Sequence, residues 1–383
     1  MNFPETTLAI LALLSLALVF WQWLAAVRFP LHRRIDKPSM APDVTLLKPL
    51  KGCDDTTAAS LQSWFSQNYA GTVQILLGVS EAQDPVCRIV HELIGKNPGH
   101  DAQLVVCGES LGASGKVSTL IQLERLAKHP LILVSDADVR VPPDFLANVV
   151  GPLDDPRTGL VNCFYRLANP VTTAMRCEAV AVNADFWSQV LQAATLKPPD
   201  FALGAVMLTR RKLLAEIGGF TALVNCLADD YQLGHRIAQN GHRIALCPVV
   251  VDCWDRPMNW SDVWKHQLRW ARTIRVCQPL PYFFSILSNA SFWSLLWLAA
   301  SLVLSRTWGA PLVAMGCILV RIIIAQNLQR RFIQRDNISP AWLVPVKDLL
   351  QAAIWAGAFF GNTVEWRGQK MRLRRDGTLV AEK

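Results

Sequence analysis

The chain has 383 residues, 51 % of them apolar and 18 % charged, with a net charge of +8. It is long enough for one large domain and something more, and too apolar for an ordinary soluble enzyme. The basic residues cluster beside apolar segments, at Arg28–Lys37, Arg330–Arg335 and Arg367–Arg375, which points to anionic lipid headgroups and argues against nucleic acid.

The first feature in the chain is an apolar run, Leu8 to Val27, broken mainly by Ser15 and Gln22 and long enough to cross a bilayer. Glu5 precedes it, and Arg28, His32, Arg33, Arg34 and Lys37 follow it. That charge order is the reverse of a cleaved leader and predicts a retained anchor over residues 1–30, with the rest of the protein on the cytoplasmic side. Pro38 to Pro42 marks a boundary. Short apolar runs then alternate with helical patterns. Strands are predicted at Val44–Leu47, Val73–Val79, Gln103–Cys107, Leu131–Ser135, Leu160–Phe164, Ala205–Thr209 and Ile244–Val251. Helices are predicted at Thr57–Phe65, Asp84–Ile94 and Lys116–Leu126. The alternation implies an α/β domain over residues 38–254, doubly wound, with a mostly parallel sheet and helices on both faces. The ten cysteines form no C-x-x-C pair, and most lie in the apolar runs as small hydrophobes, which argues against zinc and disulfides.

From about Asp255 the character changes. Trp254, Trp260, Trp264 and Trp270 stand among charged residues, which suits amphipathic interfacial helices over residues 255–282. Residues 283–383 hold three apolar segments, Phe283–Leu304, Ala310–Ala325 and Ala341–Gly361, and a basic tail. The third segment carries Lys347, Asp348 and Gln351. A full third crossing would put Arg367–Arg375 outside, so that segment is read as re-entrant or interfacial.

Five features carry chemistry. The run Leu131 to Asp138 is a buried strand that ends in Asp136 and Asp138, two carboxylates at the place where open α/β sheets bind ligands. Such a pair suits Mg²⁺ or Mn²⁺ shared with a diphosphate. Lys48, in Leu46–Asp54, ends a strand before a Gly-containing loop, facing either a phosphate or solvent. Glu81 and Asp84 follow another strand, where acids accept hydrogen bonds from a ribose or uracil; Asp84-Pro85 is equally a helix start. Asp229 and Asp230 open an amphipathic helix, where acids suit the dipole and one of them suits a general base. Gln267, Arg269 and Trp270 share one amphipathic segment, where Arg269 either clamps a diphosphate or meets lipid.

The order and spacing of these features closely resemble the ceramide glucosyltransferase family, glycosyltransferase family 21, over nearly the whole chain from Val44 onward. The tail Trp366–Thr378 also looks like that family's carboxyl end. The resemblance implies a GT-A fold and a membrane-bound inverting enzyme that uses a UDP-sugar. It places Asp84 and Asp136 on the first two family aspartates, Asp230 on the third, the expected catalytic base, and Gln267, Arg269 and Trp270 on the Q-x-x-R-W motif. The nucleotide-sugar set expected on this basis is Lys48, Glu81, Asp84, Lys116, Asp136, Gln267, Arg269 and Trp270, with Asp136 and Asp138 on the metal. Animal members tend to carry Asp-Ser-Gly where this chain has Asp136-Ala-Asp138. That departure favours metal use and moves the chain toward bacterial members. Among those it looks most like the hopanoid-biosynthesis-associated glycosyltransferases, which put N-acetylglucosamine on a bacteriohopanepolyol. The expected setting is then the bacterial inner membrane, with multiple passes and the catalytic domain facing the cytoplasm. Ceramide with UDP-glucose is the alternative pair. A processive polysaccharide synthase would need more spans, and a non-catalytic transport protein would have lost the acids.

Overall fold

The structure, a computed structural model, describes residues 3–35, 41–304, 308–334, 338–366, 369–374 and 377–381. Lys37 and Pro38 of the expected linker, and Arg335, Arg367 and Arg375 of the basic clusters, lie outside the described residues. In chain order, α1 (Phe3–Arg28) precedes β1 (Val44–Leu50), α2 (Thr57–Phe65), β2 (Val73–Val79), α3 (Val86–Lys96), β3 (Asp101–Val106) and α4 (Gly115–Glu124). β4 (Leu131–Ser135), β5 (Val139–Arg140), α5 (Phe145–Val150) and β6 (Thr158–Leu167) come next. They are followed by α6 (Thr173–Val180), a π-helical turn at Ala181–Phe186, and α7 (Trp187–Leu196). β7 (Val206–Arg210), α8 (Arg211–Glu216), α9 (Asp229–Gln239) and β8 (Arg243–Cys253) come after these. The chain continues through α10 (Trp260–Cys277), α11 (Pro279–Phe284), α12 (Ala290–Leu304), α13 (Gly309–Ile333) and α14 (Leu343–Gly357).

Two compact units result. One comprises Pro30–Asn169, Pro198–Arg256 and Arg372–Lys383, the other Met1–Phe29, Pro170–Lys197 and Pro257–Met371. Residues 170–197, which lie inside the expected catalytic domain, therefore cluster with the apolar helices.

The first unit is built on an eight-stranded sheet of order β3-β2-β1-β4-β7-β6-β8-β5. β1, β2, β3 and β4 run parallel, and so do β6 and β8, whereas β7 runs antiparallel to both β4 and β6. β1 and β4 are buried along their whole length. A strand covered on both faces has no polar alternation, which is why these segments read as continuous apolar runs. Leu46, Ile75 and Leu133 turn to one face and pack with Leu61, Trp64, Val90 and Phe145 from α2, α3 and α5. Leu47, Leu76 and Val134 turn to the other and pack with Val117, Leu120, Leu233 and Ile237 from α4 and α9. The chain leaves β1 toward the first face and enters β4 from the second. The carboxyl ends of these two paired strands are therefore a topological switch point, where open α/β sheets place their ligands.

The second unit is helical. α1 and α13 are each long and apolar enough to cross a bilayer. Ala9, Ala12, Ser15, Val19 and Gln22 form the buried side of α1, and Ala9 and Ala12 meet Trp297, Ala314 and Cys317 of α12 and α13. Small residues at such a seam let helix backbones approach where lipid offers no hydrophobic drive. The expected apolar segment Phe283–Leu304 is not one straight helix: it falls on a pair of helical stretches, Pro279–Ser288 and Ala290–Leu304, bent by 50°. Asn289 causes the break, because its side chain accepts the Phe292 N–H at 3.2 Å and starts a new helix. α14 has only 15 residues, about 22 Å of helix against a hydrocarbon core of about 30 Å.

The charges of α13 and α14 are turned inward. Arg321 reaches both oxygens of Asp348 at 3.0 Å and Asp185 of the π turn at 2.8 Å. Lys347 pairs with Asp185 and Asp348 and reaches Gln351 at 2.9 Å. All four ionised side chains are buried, two of each sign. This neutral set explains how the last apolar segment tolerates Lys347 and Asp348.

Candidate active site

The Asp-x-Asp turn follows β4 directly. Its backbone is held on one side by the Asp136 N–H, which donates to the Ala205 carbonyl at 3.2 Å. On the other side the Trp254 N–H donates to the Asp138 carbonyl at 3.2 Å, and β5 pairs with β8. The Trp254 ring lies 4.2 Å beneath the Arg140 guanidinium. Trp254 is thus part of the sheet edge and not of the interfacial collar.

Lys48 corrects an expectation. It faces neither phosphate nor solvent but is fully buried in β1. Its ammonium donates to Ser135 Oγ at 3.1 Å and to the Asp136 carbonyl, and lies 5.2 Å from the Trp64 ring. Burial lowers its pKa to about 8, with Asp138 and Asp136 opposing the fall. Lys48 therefore braces the turn from inside the sheet, while Lys51 on the following loop is exposed.

Lys116, in the first turn of α4, joins the two acidic motifs. Its ammonium lies 2.8 Å from Asp136 Oδ1 and 3.1 Å from Asp229 Oδ2. Burial alone would lower its pKa, but Asp136 and Asp229 more than offset that and hold it above the usual lysine range. Ser114 caps the helix and fixes where it starts. Asp229 and Asp230 then occupy the first turn of α9. The Asp230 carboxyl is pushed up to about 6, first by burial and then by Asp229, with Lys116 opposing. Gly204 leaves room for it: a Cβ there would stand 2.7 Å from Asp230 Oδ2. Asp138 is pushed up to about 7, first by burial and then by Asp136 and Asp255. With Lys116 already committed to Asp136 and Asp229, the carboxylate pair Asp136 and Asp138 at the end of β4 suits a further positive partner.

The residues present fit Mg²⁺ or Mn²⁺ in one form. Among the described residues no three His, Cys, Asp or Glu side chains converge as a metal cluster. A cation at Asp136 and Asp138 would thus draw its remaining ligands from a diphosphate and water, the habit of a hard cation that keeps its waters.

Glu81 and Asp84 form a second group. The Asp84 carboxylate accepts the Gly52 N–H at 3.0 and 2.9 Å and the Val86 N–H at 3.0 Å. It ties the loop after β1, where Gly52 has a φ of +68°, to the start of α3. Glu81 is exposed beside it.

Gln267, Arg269 and Trp270 lie half-buried on α10, in the helical unit. Gln267 Nε2 donates to Glu178 Oε1 at 2.7 Å, and His266 Nδ1 lies 2.8 Å from the same oxygen. Trp270 packs at 4.6 Å from the His266 ring and 6.4 Å from Phe186. Sequence reasoning missed Glu178, since nothing in Met175–Val180 signals a buried carboxylate. It also passed over the role of Gly204, one residue before the strand expected at Ala205–Thr209.

The sequence profile of glycosyl transferase family 21 matches residues 7–379. Ceramide glucosyltransferase 3 of Caenorhabditis elegans is 25 % identical over 227 residues, 57 % of this chain and 48 % of the relative. Ceramide glucosyltransferase of Candida albicans is 31 % identical over 126 residues, 30 % of this chain and 23 % of the relative. The chain thus spans half or less of the length of these curated relatives. Among solved structures, a mannosyltransferase from Pyrobaculum calidifontis in complex with GDP-Man and Mn²⁺ matches with a TM-score of 0.56 at 20 % identity, over 93 % of this chain and 98 % of that one. The likeness is one of fold, the GT-A arrangement of sheet and helices.

Proposed function

Because the chain belongs to glycosyl transferase family 21, we propose that it moves a hexose from a UDP-sugar to a hydroxyl of a membrane lipid, with inversion at the anomeric carbon. The observation that carries this reading is the junction at the switch point, where Lys116 joins Asp136 of one motif to Asp229 of the other. It ties the motif proposed for the diphosphate to the motif proposed to hold the base. Asp230, with its pKa raised to about 6, takes the proton of the acceptor hydroxyl, and the freed oxygen attacks the carbon opposite the departing UDP. One displacement needs no enzyme nucleophile. Asp136 and Asp138 would hold Mg²⁺ or Mn²⁺, which supplies positive charge to the leaving diphosphate. Lys116 keeps the Asp136 carboxylate in place, and Lys48 braces the backbone of the turn that carries it. Glu81, and Asp84 through the loop it ties, form the nucleotide side, and Arg269 and Trp270 serve the diphosphate and the acceptor.

The lipid acceptor rests on the apolar helices α1 and α13 and on the exposed Trp260 and Trp264. A soluble acceptor would explain none of these. We take the enzyme to lie in a bacterial inner membrane with the sheet unit toward the cytoplasm. The favoured pair is bacteriohopanepolyol with UDP-N-acetylglucosamine, because Asp136-Ala-Asp138 sets the chain toward bacterial members and its overall sequence resembles the hopanoid-associated branch among them. The named activities of the two relatives favour a second pair, ceramide with UDP-glucose. Purified protein offered each UDP-sugar with each lipid, with products read by mass spectrometry, tests both. A protein that glycosylates ceramide and ignores bacteriohopanetetrol would reverse the preference. No transfer to either lipid, with the sugar passing only to water as UDP is released, would remove the lipid reading.

A further inference from the structure

We propose that Glu178 is a positioning residue that sets the hydrogen-bonding polarity of the Gln267 segment, so that Gln267 reads a hydroxyl of the acceptor lipid and not the diphosphate. The inference rests on the function proposed above and deepens it.

The Glu178 side chain is fully buried in the helical unit, at 0 % exposure, although nothing in the proposed reaction uses it. One oxygen, Oε1, takes both neighbours from α10: Gln267 Nε2 at 2.7 Å and His266 Nδ1 at 2.8 Å. The other, Oε2, is buried with no protein partner. A carboxylate can only accept, so it fixes which end of the amide turns inward. The Gln267 NH₂ must face Glu178, and one of its two N–H bonds is spent there. The end turned away is the carbonyl oxygen, which is an acceptor. The same logic puts a proton on His266 Nδ1, which faces the same oxygen. His266 keeps 23 % exposure, and Gln267 is half-buried, so both can meet a ligand.

A diphosphate offers acceptors only: it could meet the second Gln267 N–H, but it has nothing to donate to the carbonyl oxygen. A hydroxyl does. In a unit that carries the apolar helices, the donor that arrives is the alcohol of a lipid headgroup. Phe186 and His266 flank Trp270, so the ring beside this face is held by the same helices. The division of labour within the motif follows: Arg269 supplies charge, and Gln267 supplies an acceptor.

The test uses the full chain in detergent micelles. Calorimetry with UDP gives donor-side affinity. Initial rates over a grid of UDP-sugar and lipid, with bacteriohopanetetrol and with ceramide, give the two KM values. Gln267→Ala is expected to raise the acceptor KM about tenfold, the loss of one neutral hydrogen bond, with UDP affinity unchanged. Gln267→Glu sets two carboxylates against each other and lowers turnover. Adding Glu178→Gln restores it, because the new amide at position 178 donates to the new carboxylate at 267, which still offers an acceptor outward. A merely structural role for Glu178 predicts no such rescue. The inference is overturned if Gln267→Ala raises the UDP-sugar KM and spares the acceptor KM. It is equally overturned if the double variant folds like wild type but works no better than Gln267→Glu. Should the alanine variant not fold, Gln267→Met, of closer volume, replaces it under the same criteria. Wild-type protein that fails to bind UDP would fell the proposed function itself, and this inference with it.

Discussion

Replacing Asp230 by Asn keeps the side chain's shape beside Gly204 and removes the group that takes a proton. The expected result is a fall in turnover of about 10²–10⁴-fold with UDP affinity kept, read by initial rates and calorimetry on one preparation. Substantial residual turnover would move the base elsewhere. The raised pKa gives a second readout. A base works only when deprotonated, so kcat/KM should fall as pH drops through about 6. Asp230→Asn should abolish that limb. Gly204→Ala is a quieter probe: its methyl would stand 2.7 Å from Asp230 Oδ2, so the carboxylate must move, and kcat should drop more than UDP affinity does. For Asp138→Ala, most activity should vanish, and exhaustive chelation of the wild type should do the same until Mg²⁺ or Mn²⁺ is returned. Full activity after chelation would mean that Lys116 and its neighbours meet the diphosphate unaided.

Elements were legible where burial is symmetric. Val73–Val79 and Leu131–Ser135 stand in the structure with the bounds read from the sequence, because an apolar run covered on both faces carries its own limits. Thr57–Phe65 did the same as a helix. β5, with two residues, has too little pattern to read, yet it fixes where the Asp-x-Asp turn ends. The reversed direction of β7 was invisible for another reason, since apolarity records burial and not chain direction. Of the candidate site, the aspartates were legible as types at strand and helix ends. The inward turn of Lys48 was not, because a lysine at a strand end looks the same whether its ammonium meets phosphate or the turn beneath. In the helical unit, Arg321, Lys347 and Asp348 read as blemishes in apolar segments, and only packing shows that they cancel with Asp185. Arg321→Met should therefore destabilise the protein by about 3–5 kcal/mol, since it leaves two buried carboxylates with one cation. The unfolding midpoint in detergent measures this, and an unchanged midpoint would mean that the set is hydrated.

For the whole molecule, the sheet unit holds Lys116 with its aspartates, and the helical unit holds the long apolar helices. Deleting residues 2–27 removes α1 and bares the seam of Ala314 and Cys317. Lipid glycosylation should be lost while UDP binding survives, because every described partner of Lys116 and Asp230 lies in the other unit. Loss of both together would show that the two units fold as one. The π turn at Ala181–Phe186 also bears on the helical unit. It places Trp187 flat against Phe332 at 4.8 Å and Gln192 within 3.2 Å of Gln22. Removing a single residue from that turn would let the helix close into regular α geometry, and everything after it would swing by about 100°. Trp187 and Gln192 would both leave their partners, while Glu178, which comes earlier, would stay put. The stretch behaves as a phase setting between two ends of one rod, intolerant of any change in how many residues it holds.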